Sequence, residues 1–166
     1  MSDYDIYNCE EGTRFYDIAF DWRRDKEADF LEECLRLFAT WRKGRILDLC
    51  CGGGQFLAEM QSRGWQVAGV DISADMIQCA RQRLAPPQIL ETACMSSFSI
   101  RGPFEAATCW LDSLPYLLTN EQIIRHLKAV GRVLVNGGIY LVDMGLGRWA
   151  SQMWQDLPTE WKPDFP

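Results

Sequence analysis

Arg45-Ile-Leu-Asp-Leu-Cys50 runs straight into Cys51-Gly-Gly-Gly54, and the reading of this junction decides the fold. The apolar run is short and ends in glycines, so it reads as a buried strand rather than a helix. From Gln55 to Arg63 the spacing becomes helical, with Gly64 as a natural stop. Trp65 to Asp71 is a second strand, and Ser73 caps a helix to about Leu84 that Pro86-Pro87 must end. Gln88-Ile-Leu-Glu-Thr92 supplies a third strand, and Phe104 to Trp110 a fourth. Thr119 with Gln122 makes a capping box for a helix carrying Ile123, Ile124, Leu127, Val130 and Leu134. Asn136-Gly-Gly138 then turns the chain into a fifth strand, Ile139 to Asp143. Upstream, Ala28, Leu31, Cys34, Leu35, Phe38 and Trp41 mark an amphipathic helix over 26–41. Helix and strand alternate, which predicts an α/β, doubly wound, mostly parallel sheet of five strands behind an N-terminal helical segment. The Ser/Gly/Pro-rich link 93–103 has room for a single helical turn at most.

The chain of 166 residues is sized for one domain, divided into an N-terminal cap and helix (1–42), the core (43–144) and a Trp/Pro-rich tail (145–166). A net charge of −6 argues against a nucleic-acid partner, because phosphate binding relies on Lys and Arg displacing counterions. Seven cysteines occur without C-x-x-C spacing and with a single histidine, which predicts free buried thiols and no metal site. No apolar run approaches a bilayer's thickness and the N-terminus has no leader-like pattern, so the expected location is cytoplasmic, without a membrane partner.

In a doubly wound sheet, ligands bind beyond the strand C-termini, where the strand order reverses. Gly52 and Gly54 let the backbone approach a ligand there, and the helix that follows offers free N–H donors. Asp71, ending the second strand, can accept both hydroxyls of a ribose. Each feature alone also suits an ordinary tight turn; together they point to a nucleotide. Leu57 stands where a dinucleotide fingerprint needs glycine, and no P-loop lysine follows. Asp48 adds a second carboxylate, which repels pyrophosphate and suits a cation.

Ile46-Leu-Asp-Leu-Cys-Cys-Gly-Gly-Gly54 resembles the motif I loop of class I S-adenosylmethionine-dependent methyltransferases, which have a Rossmann-like fold. Val67-Ala-Gly-Val-Asp-Ile-Ser73 with Met76 resembles motif II, Phe104 to Asp112 the fourth strand, and Asn136 to Asp143 the turn and fifth strand. The resemblance spans about residues 40–144. It implies S-adenosylmethionine as cofactor and in-line methyl transfer but is uninformative about the substrate; the acceptor expected here is a small molecule. By position it puts Asp48 near the methionyl ammonium and Cys50, Gly52 and Gly54 along the loop. Asp71 falls on the ribose, Ile72 and Met76 beside adenine, and Cys94-Met95 at the adenine edge. Trp110-Leu111 falls at the reacting centre, with Tyr16, Asp17 and Trp22 in a segment that folds over the cofactor in some members.

The sequence departs from the family at Cys50, usually glycine, at Cys94, usually an acid, and at Asn136, usually proline. The family also continues through two further strands, so the reading is of a truncated product, a fragment or a half completed by another chain. An exposed fifth strand would invite a second copy or a partner chain, and the alternative function is a non-catalytic cofactor-binding or assembly module. Asp112 and Tyr116, just past the fourth strand, are the candidates for catalysis, set against a plainer role in capping and packing. His126 is expected at a surface or boundary position and Cys51 as a buried thiol. Trp149, Trp154 and Trp161 are expected to pack on a sheet edge or an interface rather than stack a substrate.

Overall fold

The computed structural model describes residues 12, 15, 16, 18, 19, 24–41 and 43–145. Its elements are α1 (Arg24–Phe38), β1 (Arg45–Leu49), α2 (Gln55–Ser62), β2 (Gln66–Asp71), α3 (Ala74–Arg83), β3 (Ile89–Thr92), β4 (Phe104–Cys109), α4 (Asn120–Val133) and β5 (Leu134–Val142). A short 3-10 turn, Leu114–Tyr116, follows β4. The five strands are parallel, in the order β3-β2-β1-β4-β5. The order reverses between β1 and β4, as the alternation of elements predicts. The link 93–103 carries no helix. Trp22 and the tail tryptophans lie outside the described residues.

Alternation along the strands builds two cores. Ile46, Val67 and Ala106 face α1, α2 and α3, where they pack with Leu31, Leu35, Phe56, Leu57, Met60, Ile77 and Ala80. Leu47, Leu49, Ala68, Val70, Ala107 and Cys109 face the other way, against Met95, Leu117, Val130 and Val133. Both faces are covered, which is why these strands read as nearly unbroken apolar runs. Gly69 is small by necessity: a Cβ there would sit 2.7 Å from the Cys51 sulfur and 2.8 Å from a Leu57 methyl. Arg63 joins α1 to α2 through Asp29 (2.7 Å), Glu32 (2.9 Å) and Glu59 (2.7 Å).

Three expectations are corrected. Leu134 is not the last residue of α4 but the first of β5; it pairs with Phe104 before the ladder resumes at Ala106 and Ile139. The Asn136-Gly-Gly138 turn is thus a bulge inside the strand, with Gly137 at φ +76°. Helix α1 stops at Phe38, short of Trp41, whose indole N–H instead reaches the Asn136 carbonyl at 3.1 Å. His126 is fully buried rather than at a boundary, because both ring nitrogens find partners in the interior (below).

Candidate functional site

The site forms where β1 and β4 separate at their C-terminal ends. The chain leaves β1 through three left-handed residues, Cys50 (φ +63°), Gly52 (φ +52°) and Gly54 (φ +78°), and enters α2. This conformation turns the backbone of the loop toward the cleft and leaves room above it. A Cβ built on Gly52 would meet only the Tyr16 ring, at 3.7 Å, whereas one on Gly54 would press on Ala80 at 3.1 Å. The first glycine therefore keeps a cradle open, and the second lets α2 pack against α3. Cys50 accepts the left-handed conformation without being glycine, a strained choice for an L-residue.

Two acids flank the loop, each held differently. Asp48 is buried on the α1–α2–α3 face of β1, where parallel register sets it beside Thr108. The Thr108 hydroxyl donates to Asp48 Oδ1 at 2.7 Å. Burial pushes the Asp48 carboxyl up to about 7, against the opposing pull of the Thr108 hydrogen bond and the Arg24 charge. Asp71 ends β2 and clasps the loop: Gly52 N–H donates to its Oδ2 at 2.8 Å, and Ser73 N–H to its Oδ1 at 2.9 Å. Burial also raises the Asp71 carboxyl, while these backbone donors hold it down. A carboxylate offers about four lone-pair sites, so acceptor capacity remains for a diol.

The cleft, with about 330 Å³ of empty space including its open mouth, is lined by Tyr16, Arg24, Asp48, the loop residues, Gln55, Phe56, Trp110, Leu111 and Ser113. Trp110 packs edge-on against Phe56 with ring centroids 5.3 Å apart, and its buried indole N–H has no acceptor among the described residues. An indole N–H is a donor only, so this one suits a ligand oxygen. Tyr16 is half-buried over the loop; burial pushes its hydroxyl up to about 12, against the Arg24 charge.

The turn after β4 is strained at two consecutive residues, Leu111 and Asp112, both at φ +55°. The end of β5 holds it: Leu111 N–H donates to Asp143 Oδ2 at 3.2 Å, and Gly145 N–H to Asp112 Oδ1 at 2.9 Å. The Asp112 carboxylate is thereby engaged outside the cleft lining. Tyr116 is 59% exposed, though close enough to Tyr16 to weigh on its ionisation.

The structure gathers Tyr16, Asp48, Cys50, Gly52, Trp110 and Leu111 in one cleft, with Asp71 clasping its floor and Gly54 buried behind it. Ile72 stands exposed just past Asp71. Met76 is buried at the start of α3, its backbone N–H donating to the Ser73 cap at 3.2 Å. Met95 is buried with its sulfur 3.7 Å from that of Cys50, and Cys94 pairs with Ser96 at 3.2 Å. Sequence reasoning missed Thr108, Arg24, Gln55 and Ser113. Only Thr108 left a signal: a lone hydroxyl in an otherwise apolar stretch of β4, at the level of Asp48. The six described cysteines are free thiols: Cys34, Cys51 and Cys109 are buried as expected, whereas Cys50, Cys79 and Cys94 are only partly buried. Among the described residues no group of three or more His, Cys, Asp or Glu could hold a metal, and no helix is long and apolar enough to cross a membrane.

A left-handed small-residue loop at the switch point of a 3-2-1-4-5 sheet, clasped by an acid ending β2, defines the class I S-adenosylmethionine-dependent methyltransferase fold. A methyltransferase-domain family model matches residues 46–138, and the chain belongs to that family, whose cofactor is S-adenosylmethionine. The chain is 37% identical over 105 residues to YqeM of Bacillus subtilis (strain 168), provisionally named a methyltransferase, covering 61% of this chain and 42% of that one. It is 28% identical over 138 residues to dTDP-3-amino-3,6-dideoxy-alpha-D-glucopyranose N,N-dimethyltransferase of Streptomyces fradiae, covering 80% and 52%. Among solved structures it matches S-adenosylmethionine-bound CalS10, an amino pentose methyltransferase from Micromonospora echinaspora. That match has a TM-score of 0.72 at 25% identity, over 81% of this chain and 58% of the other. The chain spans about half the length of the curated relatives it matches.

Proposed function

We propose that this chain is the cofactor-binding part of a methyltransferase acting on a small molecule. When bound, S-adenosylmethionine supplies a methyl group activated by an adjacent sulfonium. The residues present fit such a group: an open glycine cradle, a diol acceptor in Asp71, a buried acid for a cationic end in Asp48, and an unsatisfied indole N–H in Trp110.

In this reading Asp71 accepts from the ribose hydroxyls while Gly52 and Ser73 fix its orientation. Asp48 faces the ammonium, its charge favoured by the cation it meets. Ile72, Met76, Cys94 and Met95 surround the base, and Tyr16 closes the cleft against water. Trp110 and Leu111 border the space where an acceptor enters. In-line displacement asks chiefly for alignment, and the braced turn after β4 suits that task. Tyr116, near Tyr16, is the better placed of the two polar candidates, since Asp112 is engaged by Gly145. The amino-sugar relatives make an amine on a small ring a reasonable acceptor class, and a soluble cytoplasmic setting accords with a diffusible acceptor.

The observation that carries the proposal is the Asp71 clasp on the glycine loop. A calorimetric titration with S-adenosylhomocysteine tests it. Wild type is expected to bind and Asp71→Ala to bind at least about tenfold more weakly, roughly 1.4 kcal/mol. No heat at millimolar ligand, with the two proteins indistinguishable, would sink the reading. A second reading, a module completed by another chain or a second copy, is favoured by β5, which has a single strand neighbour among the described residues. Light scattering decides: a monomer with measurable turnover rules it out.

A further inference from the structure

Beneath the glycine loop, on the α4 side of the sheet, lies a largely buried polar relay that reaches the cleft only through Cys50. His126 is 0% exposed. Its Nδ1 lies 2.8 Å from the Met95 carbonyl and its Nε2 lies 2.6 Å from the Tyr140 hydroxyl. A carbonyl can only accept, so Nδ1 carries the proton and Nε2 must accept from Tyr140. The Tyr140 hydroxyl is thereby the hydrogen-bond donor to His126. The Cys50 sulfur in turn rests 3.7 Å from that of Met95. The circuit runs from Tyr140 through His126 and Met95 to Cys50.

Its members come from β5, α4, the loop after β3 and the loop after β1. A buried imidazole is costly unless both nitrogens are satisfied. Cys50, the one non-glycine residue of the cradle in a left-handed conformation, has its side chain fixed in this circuit. We propose that His126 and Tyr140 are positioning residues for the cofactor, holding the Met95 loop and the strained Cys50 in the geometry the cleft requires. The proposal rests on the cofactor reading of that cleft. It accounts for a cysteine where a glycine would relax the backbone, because the thiol gives the loop a tether that glycine lacks.

His126 is the sole histidine, so its ring signals are unambiguous in long-range proton–nitrogen NMR. Unliganded wild type is expected to show the Nδ1–H tautomer, and saturating S-adenosylhomocysteine to shift the imidazole resonances although no ligand touches the ring. Tyr140→Phe is expected to weaken binding about fivefold with its melting temperature within a few degrees of wild type. Exposed Ile124→Ala, on the same helix, should bind as wild type does. An Nε2–H tautomer overturns the proposal, as does an imidazole that ignores the ligand while Tyr140→Phe binds within twofold of wild type. If Tyr140→Phe fails to fold, the tautomer and the ligand shift in wild type decide. Wild type that binds no ligand overturns the cofactor reading as well, an outcome separable from the others because it needs no variant.

Discussion

At the scale of single residues, the two loop acids behave differently because their surroundings do. Asp71 meets two backbone donors at the sheet's crest, whereas Asp48 is sunk between strands with one hydroxyl. Burial raises Asp48 to about 7, from roughly 3.9 in an unfolded chain. Below the lower value both states are protonated, and the full contribution to stability is present. As pH rises toward 7 the unfolded state gives up its proton first, so that contribution is progressively lost. Asp48→Asn should remove this slope: urea denaturation would show the variant gaining on wild type between about pH 4 and 7 and running parallel above. A cation beside Asp48 favours its charged form. Affinity for S-adenosylhomocysteine should therefore rise with pH through neutrality in wild type and stay flat in the variant. Both acids were legible in the sequence; their unequal burial was not, because it depends on Thr108 arriving from a strand 60 residues away.

Among the elements, α4 shows how local chemistry serves the site. Thr119 and Gln122 form a complete capping box, fixing where the helix starts and so where His126 falls along it. Thr119→Ala should cost about 1 kcal/mol in chemical denaturation without altering cofactor binding, since the cap lies away from the cleft. At the other end, α4 passes directly into β5 at Leu134. The apolar stripe that made Leu134 look helical is equally what a strand needs there, and only pairing with Phe104 selects between them. The turn after β4 is similar. Nothing local in Trp110-Leu-Asp112 demands left-handed backbone; Asp143 and Gly145, brought alongside by β5, sustain it.

For the whole molecule, ligand and fold are linked by mass action. A ligand at 100 times its Kd stabilises by about 2.7 kcal/mol. In a domain of this size that corresponds to a rise of roughly 5–10 °C in melting temperature. S-adenosylhomocysteine at that excess should produce such a shift, read by calorimetric scanning, and a shift below about 1 °C would contradict specific binding to the folded chain.

The sequence by itself determined the strand and helix order, the parallel sheet, the glycine loop and the identities of Asp48 and Asp71. All of these follow from periodicity and from residues whose backbone or charge preferences act over a few positions. Only the tertiary structure decided that His126 is interior, that Asp112 turns to Gly145, that Thr108 partners Asp48, and that Cys50 joins Met95 and His126 in one circuit. Each of these depends on which distant element lies alongside, and hydrogen bonds between strands and loops leave no period in the chain for a reader to find.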